Sequence, residues 1–356
     1  MTPQTLRREH PDLFLLDPSD VEGAGAYLAR HGLLGPEEVV TQLERAGEGN
    51  MNCTLRAFTP SRTLIVKQSR PWVEKYPQFE APWDRAVVEA EFYRIVSDHP
   101  RVAAFLPNLH FADPESRVLV IEDLGEGGDY TGIYLHGEIL TADTLLRLAE
   151  FLSGLHGAYP PGTAHPPLPN SEMRALNHAH VFDIPLRRDN GLNLDALAPG
   201  LRSAADPLLA PSKFHDEVTR LGREIYLADG PTLVHGDFFP GSILRTASGP
   251  RVIDPEFCHF GRAELDVGVL LAHLILGAQP PSLWTAFECR YEPPAGFEEK
   301  VARQLAGIEI MRRLIGYAQL PNRWDLADRV ALLNIARDLV LLPDRPLQPW
   351  PSTLRS

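Results

Sequence analysis

The chain has 356 residues, with 34 Lys+Arg against 47 Asp+Glu, a net charge of −13 and 44% apolar residues. That apolar fraction supports packed cores for roughly two domains of ordinary size. The acidic balance, with no Lys/Arg-rich run, excludes a nucleic-acid binder of the kind that needs positive charge to displace counterions from phosphates.

Cys53, Cys258 and Cys289 are odd in number and far apart, which argues against a disulfide framework and a C-x-x-C zinc site. The longest apolar run, 267–278, is interrupted by His273 and is far shorter than the ~20 residues of a membrane span. The N-terminus has no apolar signal core, so a cytoplasmic protein with no membrane partner is expected. In chain order, Ser19-Asp20-Val21-Glu22 has capping-box spacing and predicts a helix that Gly35-Pro36 stops. Three β-rich runs follow at 39–45, 53–58 and 62–68, separated by GEGNMN and a Pro60 turn, the pattern of an antiparallel meander. A helix is expected over 84–96, then strands at 109–112 and 117–123. Gly125, Gly127 and Gly128 mark a hinge, dividing a β-rich N-terminal lobe (1–124) from a C-terminal lobe (125–356).

The second lobe reads as mainly helical. Thr141 caps a helix over 141–159, a Pro-rich stretch (160–169) ends it, and further helices are predicted at 263–277, 296–317 and 324–342. Between them, 231–257 reads as a short strand, a loop, and two strands split by a Ser248-Gly249-Pro250 turn. The fold class is therefore α+β: a small antiparallel sheet with one key helix, then a larger helical lobe.

The strongest constellation is His235-Gly236-Asp237, with Ser242 five residues after the aspartate and then Asp254-Pro255-Glu256. Phosphoryl transfer needs a carboxylate that takes the proton of the attacking hydroxyl and hard oxygen ligands for Mg²⁺. Asp237 suits the first role and Asp254 the second; Glu256 can add a metal contact, with Ser242 a weak ligand or a loop-capping hydroxyl. His235 is expected to brace the loop. Upstream, Gly47, Gly49 and Asn50 in GEGNMN can present backbone amides to a triphosphate, although the loop departs from G-x-G-x-x-G at Asn52. Lys67 ends the apolar strand LIVK, either as a ligand of the α/β-phosphates or as an edge-strand lysine reaching water.

Glu89 and Glu91 each share an apolar helical stripe, so periodicity alone does not choose between them as the partner of Lys67. Glu122, Asp123 and Leu124 enter the hinge, where backbone groups can read adenine. Arg312 interrupts an apolar stripe of Val301, Leu305, Ile308 and Ile315. It either pairs with Asp325 or Asp328 or, with Arg313, reaches the cleft and binds the acceptor. His178 and His180 point apart at i, i+2 and lack a third ligand, so they do not form a zinc site.

GEGNMN, IVKQ followed by DRAVVEAE, VIEDL, HGD with GS after it, VIDPEF and IMRRLIG occur in order from about 40 to 317. Together they resemble the motifs of S-methyl-5-thioribose kinases, within the aminoglycoside phosphotransferase and choline kinase-like superfamily. The resemblance implies a bilobal protein kinase-like fold, ATP and Mg²⁺ as cofactors, and phosphorylation of the sugar's O1 hydroxyl in methionine salvage. It makes Asp237 the base, Asp254 and Glu256 metal ligands, Lys67 the phosphate ligand, Glu89 its partner, and Arg312 and Arg313 the substrate-site arginines. The sequence departs from the family at Phe238-Phe239-Pro240, where smaller, more polar residues are expected. The alternatives are an aminoglycoside or choline-type kinase and a nucleotide-binding pseudokinase; a homodimer is one assembly left open.

Overall fold

The computed structural model describes residues 3–47, 51–135, 137–160 and 162–347. Its N-terminal half carries β1 (Gln42–Arg45), β2 (Cys53–Phe58), β3 (Thr63–Gln68), β4 (Trp72–Val73), β5 (Tyr76–Glu80), β6 (Leu109–Asp113) and β7 (Val118–Glu122). Five of them form one sheet in the order β1-β2-β3-β7-β6, every neighbouring pair antiparallel. Side chains alternate across a strand. Cys53, Leu55, Ala57, Leu64 and Val66 therefore pack against Leu16, Tyr27 and Leu28 on one face, while Lys67 is buried toward the other. There the helix Arg85–Ser97 lies, with Glu89 wholly buried and Glu91 paired with Arg94 at its surface.

The helical half follows. Thr141 caps the helix Ala142–His156 by accepting from the Thr144 amide at 3.1 Å. Two small antiparallel pairs, the hairpin of β9 (Ile243–Thr246) with β10 (Gly249–Val252) and the pair of β8 (Thr232–Val234) with β11 (His259–Gly261) that flanks it in sequence, carry the loops of interest. Behind them the helix Glu264–Leu276 is central and buried at every residue, its apolar run broken by Glu264, Asp266 and His273. It lies so close to the helix Glu299–Ile315 that a Cβ on Gly268 would meet the Ala302 carbonyl oxygen at 2.6 Å. The glycine-rich linker runs along β9, with the Arg245 amide donating to the Gly128 carbonyl at 2.8 Å. Among the described residues no helix is long and apolar enough to cross a membrane.

The structure corrects several sequence expectations. Asp20, not Ser19, caps the first predicted helix, because its carboxylate accepts from the Gly23 amide while the Ser19 hydroxyl turns back to Asp17. The first strand starts at Gln42, leaving Val39 exposed. Reading by periodicity missed β4 and β5, which lie among Pro71, Pro77 and Pro82, and missed β11, which is three residues long. It also missed the helical turns between 171 and 226, two of which are π-helical, Ala179–Asp183 and Gly222–Tyr226, and so lack the 3.6-residue repeat.

Candidate active site

The loop between β8 and β9 presents His235, Gly236 and Asp237. Asp266, from the first turn of the buried central helix, accepts the His235 amide at 2.7 Å and the Gly236 amide at 2.9 Å. Burial alone would raise the Asp266 pKa, but the hydrogen bond and charge of His156 and the His235 amide hold it below the usual carboxylate value. His156 is itself fixed by the Tyr291 hydroxyl at 2.7 Å. His235 braces the loop as expected, its Nε2–H donating to the Ile253 carbonyl at 2.9 Å. Gly236 has φ +87°, and a Cβ there would approach the Phe257 carbonyl oxygen to 2.3 Å, so only glycine lets this loop pass the one carrying Asp254.

Phe238 and Phe239 account for the loop's bulk. Phe238 is buried and stacked on Phe151, anchoring the loop in the core. Phe239 lies half-buried under the Arg313 guanidinium, 4.7 Å from the ring centre, a cation–π platform.

On the sheet side, Lys67 Nζ lies 2.5 Å from both Glu89 Oε2 and Asp254 Oδ1. Burial opposes its charge, but Asp254 and Glu89 outweigh burial and hold Lys67 protonated above its usual range. Burial pushes Glu89 up to about 7, with Lys67 opposing. The edge-strand alternative for Lys67 is thus overturned, since its head is enclosed rather than in water. Asp254 adopts a left-handed φ of +59°, and its side chain is 47% exposed, toward solvent rather than core. Glu256 is buried; Asn52 Nδ2 donates to its Oε2 at 2.8 Å, and Arg85 Nε stands 3.9 Å from the same oxygen. Arg85 also donates to the carbonyls of Met51, Arg70, Trp72 and Pro82. Asn52 therefore has an evident reason to replace glycine at the end of its loop. Ser242 is buried beside Asp254, its carbonyl accepting from the Ile253 amide at 2.9 Å.

The hinge side chains are committed elsewhere. Glu122 accepts from the amide and side chain of Asn108 at 3.1 and 2.9 Å, and Asp123 takes the Arg56 guanidinium at 2.6 and 3.1 Å. What remains for a base is backbone, less the Glu122 amide, which donates to the Asn108 carbonyl at 2.9 Å. Gly47 begins the loop with φ +75°, whereas Gly49 and Asn50 lie outside the described residues.

Across the loop, Arg312 and Arg313 each place an amino nitrogen 3.6 Å from Asp237 Oδ1. Neither Asp325 nor Asp328 pairs with Arg312, because those carboxylates cap the helix Leu326–Leu341. The partner is Glu309, which accepts from Arg312 at 3.1 Å and from Arg313 at 2.5 Å. Burial opposes ionisation of Glu309, but Arg312 and Arg313 hold its pKa well below the usual value. Sequence reasoning missed Glu309 and Asp266. Glu309 was signalled by its i, i+3 and i, i+4 spacing to the arginines, and Asp266 by a charge inside the most apolar helix. His178 packs on Phe182 and Tyr226, and no group of three or more His, Cys, Asp or Glu converges as a metal cage among the described residues.

A sheet that buries a lysine against two carboxylates, facing a helical half that carries an aspartate on a tied-down loop, defines a kinase-like phosphotransferase. The chain belongs to the APH phosphotransferase enzyme family, whose model matches residues 43–309. It is 26% identical to the methylthioribose kinase of Exiguobacterium sibiricum, over 87% of this chain and 88% of that protein. It is also 26% identical to that of a Geobacillus species, over 92% and 90%. In fold it matches a choline kinase from Streptococcus pneumoniae at 16% identity with a TM-score of 0.50, covering 89% of this chain and 97% of that one. A putative fructosamine-3-kinase from Haemophilus somnus matches at 14% and 0.50, covering 89% and 96%. The fold is the bilobal protein kinase-like one, and the protein is an ATP-dependent small-molecule kinase.

Proposed function

We propose that this kinase transfers the γ-phosphoryl group of Mg-ATP to the O1 hydroxyl of S-methyl-5-thioribose or a related 5-substituted pentose. The observation that carries this reading is the arginine pair 3.6 Å from Asp237, matched in charge by Glu309. With two guanidinium groups and two carboxylates, this corner is near neutral. It suits an uncharged polyol and disfavours a cationic aminoglycoside or amino alcohol.

Asp237 takes the proton of the acceptor hydroxyl as that oxygen attacks the γ-phosphorus and the bond to the β-phosphate oxygen breaks, leaving ADP. Lys67, fixed between Glu89 and Asp254, meets the α/β-phosphates. The glycine loop that Gly47 opens would cover the triphosphate, and the backbone at Glu122, Asp123 and Leu124, at a lobe boundary near 124, would receive the adenine. The donor set fits Mg²⁺: Asp254 is partly exposed, Glu256 follows it two residues on, the Ser242 carbonyl accepts from the amide of its neighbour Ile253, and a magnesium held partly by phosphates needs only one or two carboxylates. Bound there, the ion would neutralise charge on the transferring phosphates. Asp237, Lys67 and Asp254 together also disfavour a pseudokinase.

The test is a coupled ATP-consumption assay across methylthioribose, ribose, choline and an aminoglycoside, with Asp237→Asn alongside. Methylthioribose should be turned over, and Asp237→Asn should lose about 10²-fold or more. Faster turnover of choline or the aminoglycoside would overturn the acceptor assignment.

A further inference from the structure

Two buried polar atoms without a hydrogen-bond partner face each other at the acceptor corner: Asp237 Oδ1 and the Arg313 amino nitrogen, 3.6 Å apart. That gap is too long for a hydrogen bond, so something holds the guanidinium at a set distance from the aspartate. Glu309 supplies the grip. Its Oε2 accepts from Arg312, while its Oε1 accepts from Arg313 Nε at 2.5 Å and from His273 Nε2 at 3.2 Å.

An ionised carboxylate only accepts, so His273 donates from Nε2; burial pulls its pKa down to about 4 and keeps the ring neutral, so Nδ1 accepts from the Tyr134 hydroxyl 2.5 Å away. Tyr134 stands in the short helix Gly132–Leu135, just after the glycine-rich linker. Phe239 closes the other side, its ring under Arg313 and 5.4 Å from the His273 ring. Beside Arg312 and Glu309 lies a cavity of about 10 Å³ that Val181, Phe182, Gly236 and Leu305 also line, with room for at most a single water.

We propose that Glu309 is the positioning residue that sets the Arg312–Arg313 pair against Asp237, and that His273 and Tyr134 extend its hold to the segment following the linker. This rests on the reading that the arginine pair binds the acceptor. A charge-compensating role alone would require only that Glu309 be buried near the arginines. The three-donor arrangement, in which each carboxylate oxygen has a fixed partner, also determines where the guanidinium groups point.

The experiment uses the full chain, ATP and whichever acceptor the assay panel turns over. Glu309→Gln keeps the shape and loses the charge, and it should raise the acceptor KM about tenfold or more, because small misplacements of binding groups are costly. Tyr134→Phe removes only the hydroxyl at the far end and should raise it by about threefold, with the ATP KM unchanged in both variants. Arg312→Ala and Arg313→Ala are measured beside them. If the arginine variants leave the acceptor KM unmoved, the acceptor-site reading falls. If they raise it while Glu309→Gln and Tyr134→Phe do not, or if both substrates' KM values rise together, the positioning role alone falls. Should Glu309→Gln fail to fold, an unmoved acceptor KM in Tyr134→Phe overturns the relay.

Discussion

Asp266 does not face the acceptor, yet replacing it should cripple transfer. Its carboxylate is the acceptor for two buried amides, those of His235 and Gly236, and for His156. In Asp266→Ala the two amides lose their partner inside the core, at about 1–3 kcal/mol each, or about 2–6 kcal/mol together. Asp266→Asn should be intermediate: its carbonyl oxygen can still accept one amide, but its amino group meets the other as donor against donor. The loop then has no fixed position for Asp237, and a displacement near 1 Å costs about 10²-fold in rate. Urea unfolding reads the first effect and kcat the second. ATP binding serves as the control, since Lys67 and Glu89 are held from the sheet side. The folded carboxyl is held below its unfolded pKa, so its stabilisation is present at neutral pH and is lost only in acid as pH falls through the folded value. The gap between wild type and Asp266→Ala should therefore be level from about pH 8 to 5. A loss under about 1 kcal/mol with kcat intact would refute the reasoning.

Lys67→Met leaves the buried Glu89, among the described residues, with the Tyr93 hydroxyl at 3.4 Å. Stability in urea should fall by about 3–5 kcal/mol, and adding Glu89→Gln should recover part of it, whereas a double variant no better than the single would contradict the pairing. Asn52→Gly restores the glycine-loop pattern but frees Glu256; it should weaken binding of Mg-ATP about tenfold while metal-free ATP binds as before, and calorimetry in which both weaken equally would reject that role. Burial pulls His259 down to about 4, so the unfolded chain takes up a proton below pH 6.5 that the folded chain refuses. The stability of wild type relative to His259→Gln should accordingly shrink by about 1.4 kcal/mol per pH unit from 6.5 to 4, and a constant difference would remove His259 from the acid response.

Placements that depend on local spacing were legible in the sequence. Asp237 and Asp254 stand at fixed offsets on loops between strands, and Lys67 on β3 is turned toward the Arg85–Ser97 helix by strand alternation alone. The choice of Glu89 over Glu91 needed the helix's rotation about its axis, which tertiary packing fixes. Contacts between distant segments were not legible: Asn52 with Glu256, 204 residues apart, and Tyr134 with His273, 139 apart, leave no periodic trace. The Asn52 departure from the glycine pattern was visible as an irregularity, but its reason was not, because that reason lies on the other loop.

The two ends of the site handle charge differently, and the difference bears on direction of transfer. Around Lys67 the carboxylates Glu89, Asp254 and Glu256 stand beside the cations Lys67 and Arg85. On the proposed reading, a metal arriving with the polyphosphate would offset the acidic groups at that end. At Asp237 the arginine pair and the two carboxylates balance while the acceptor hydroxyl is neutral. On the proposed reading, once Asp237 has taken the hydroxyl proton the same corner carries a net positive charge as the phosphoryl group arrives. The arginines would then serve both stages, holding the acceptor and gaining charge complementarity in the transition state. Glu309 sets this balance: it aligns the pair for a neutral acceptor, and without it two uncompensated guanidinium groups would favour an anion at that corner instead.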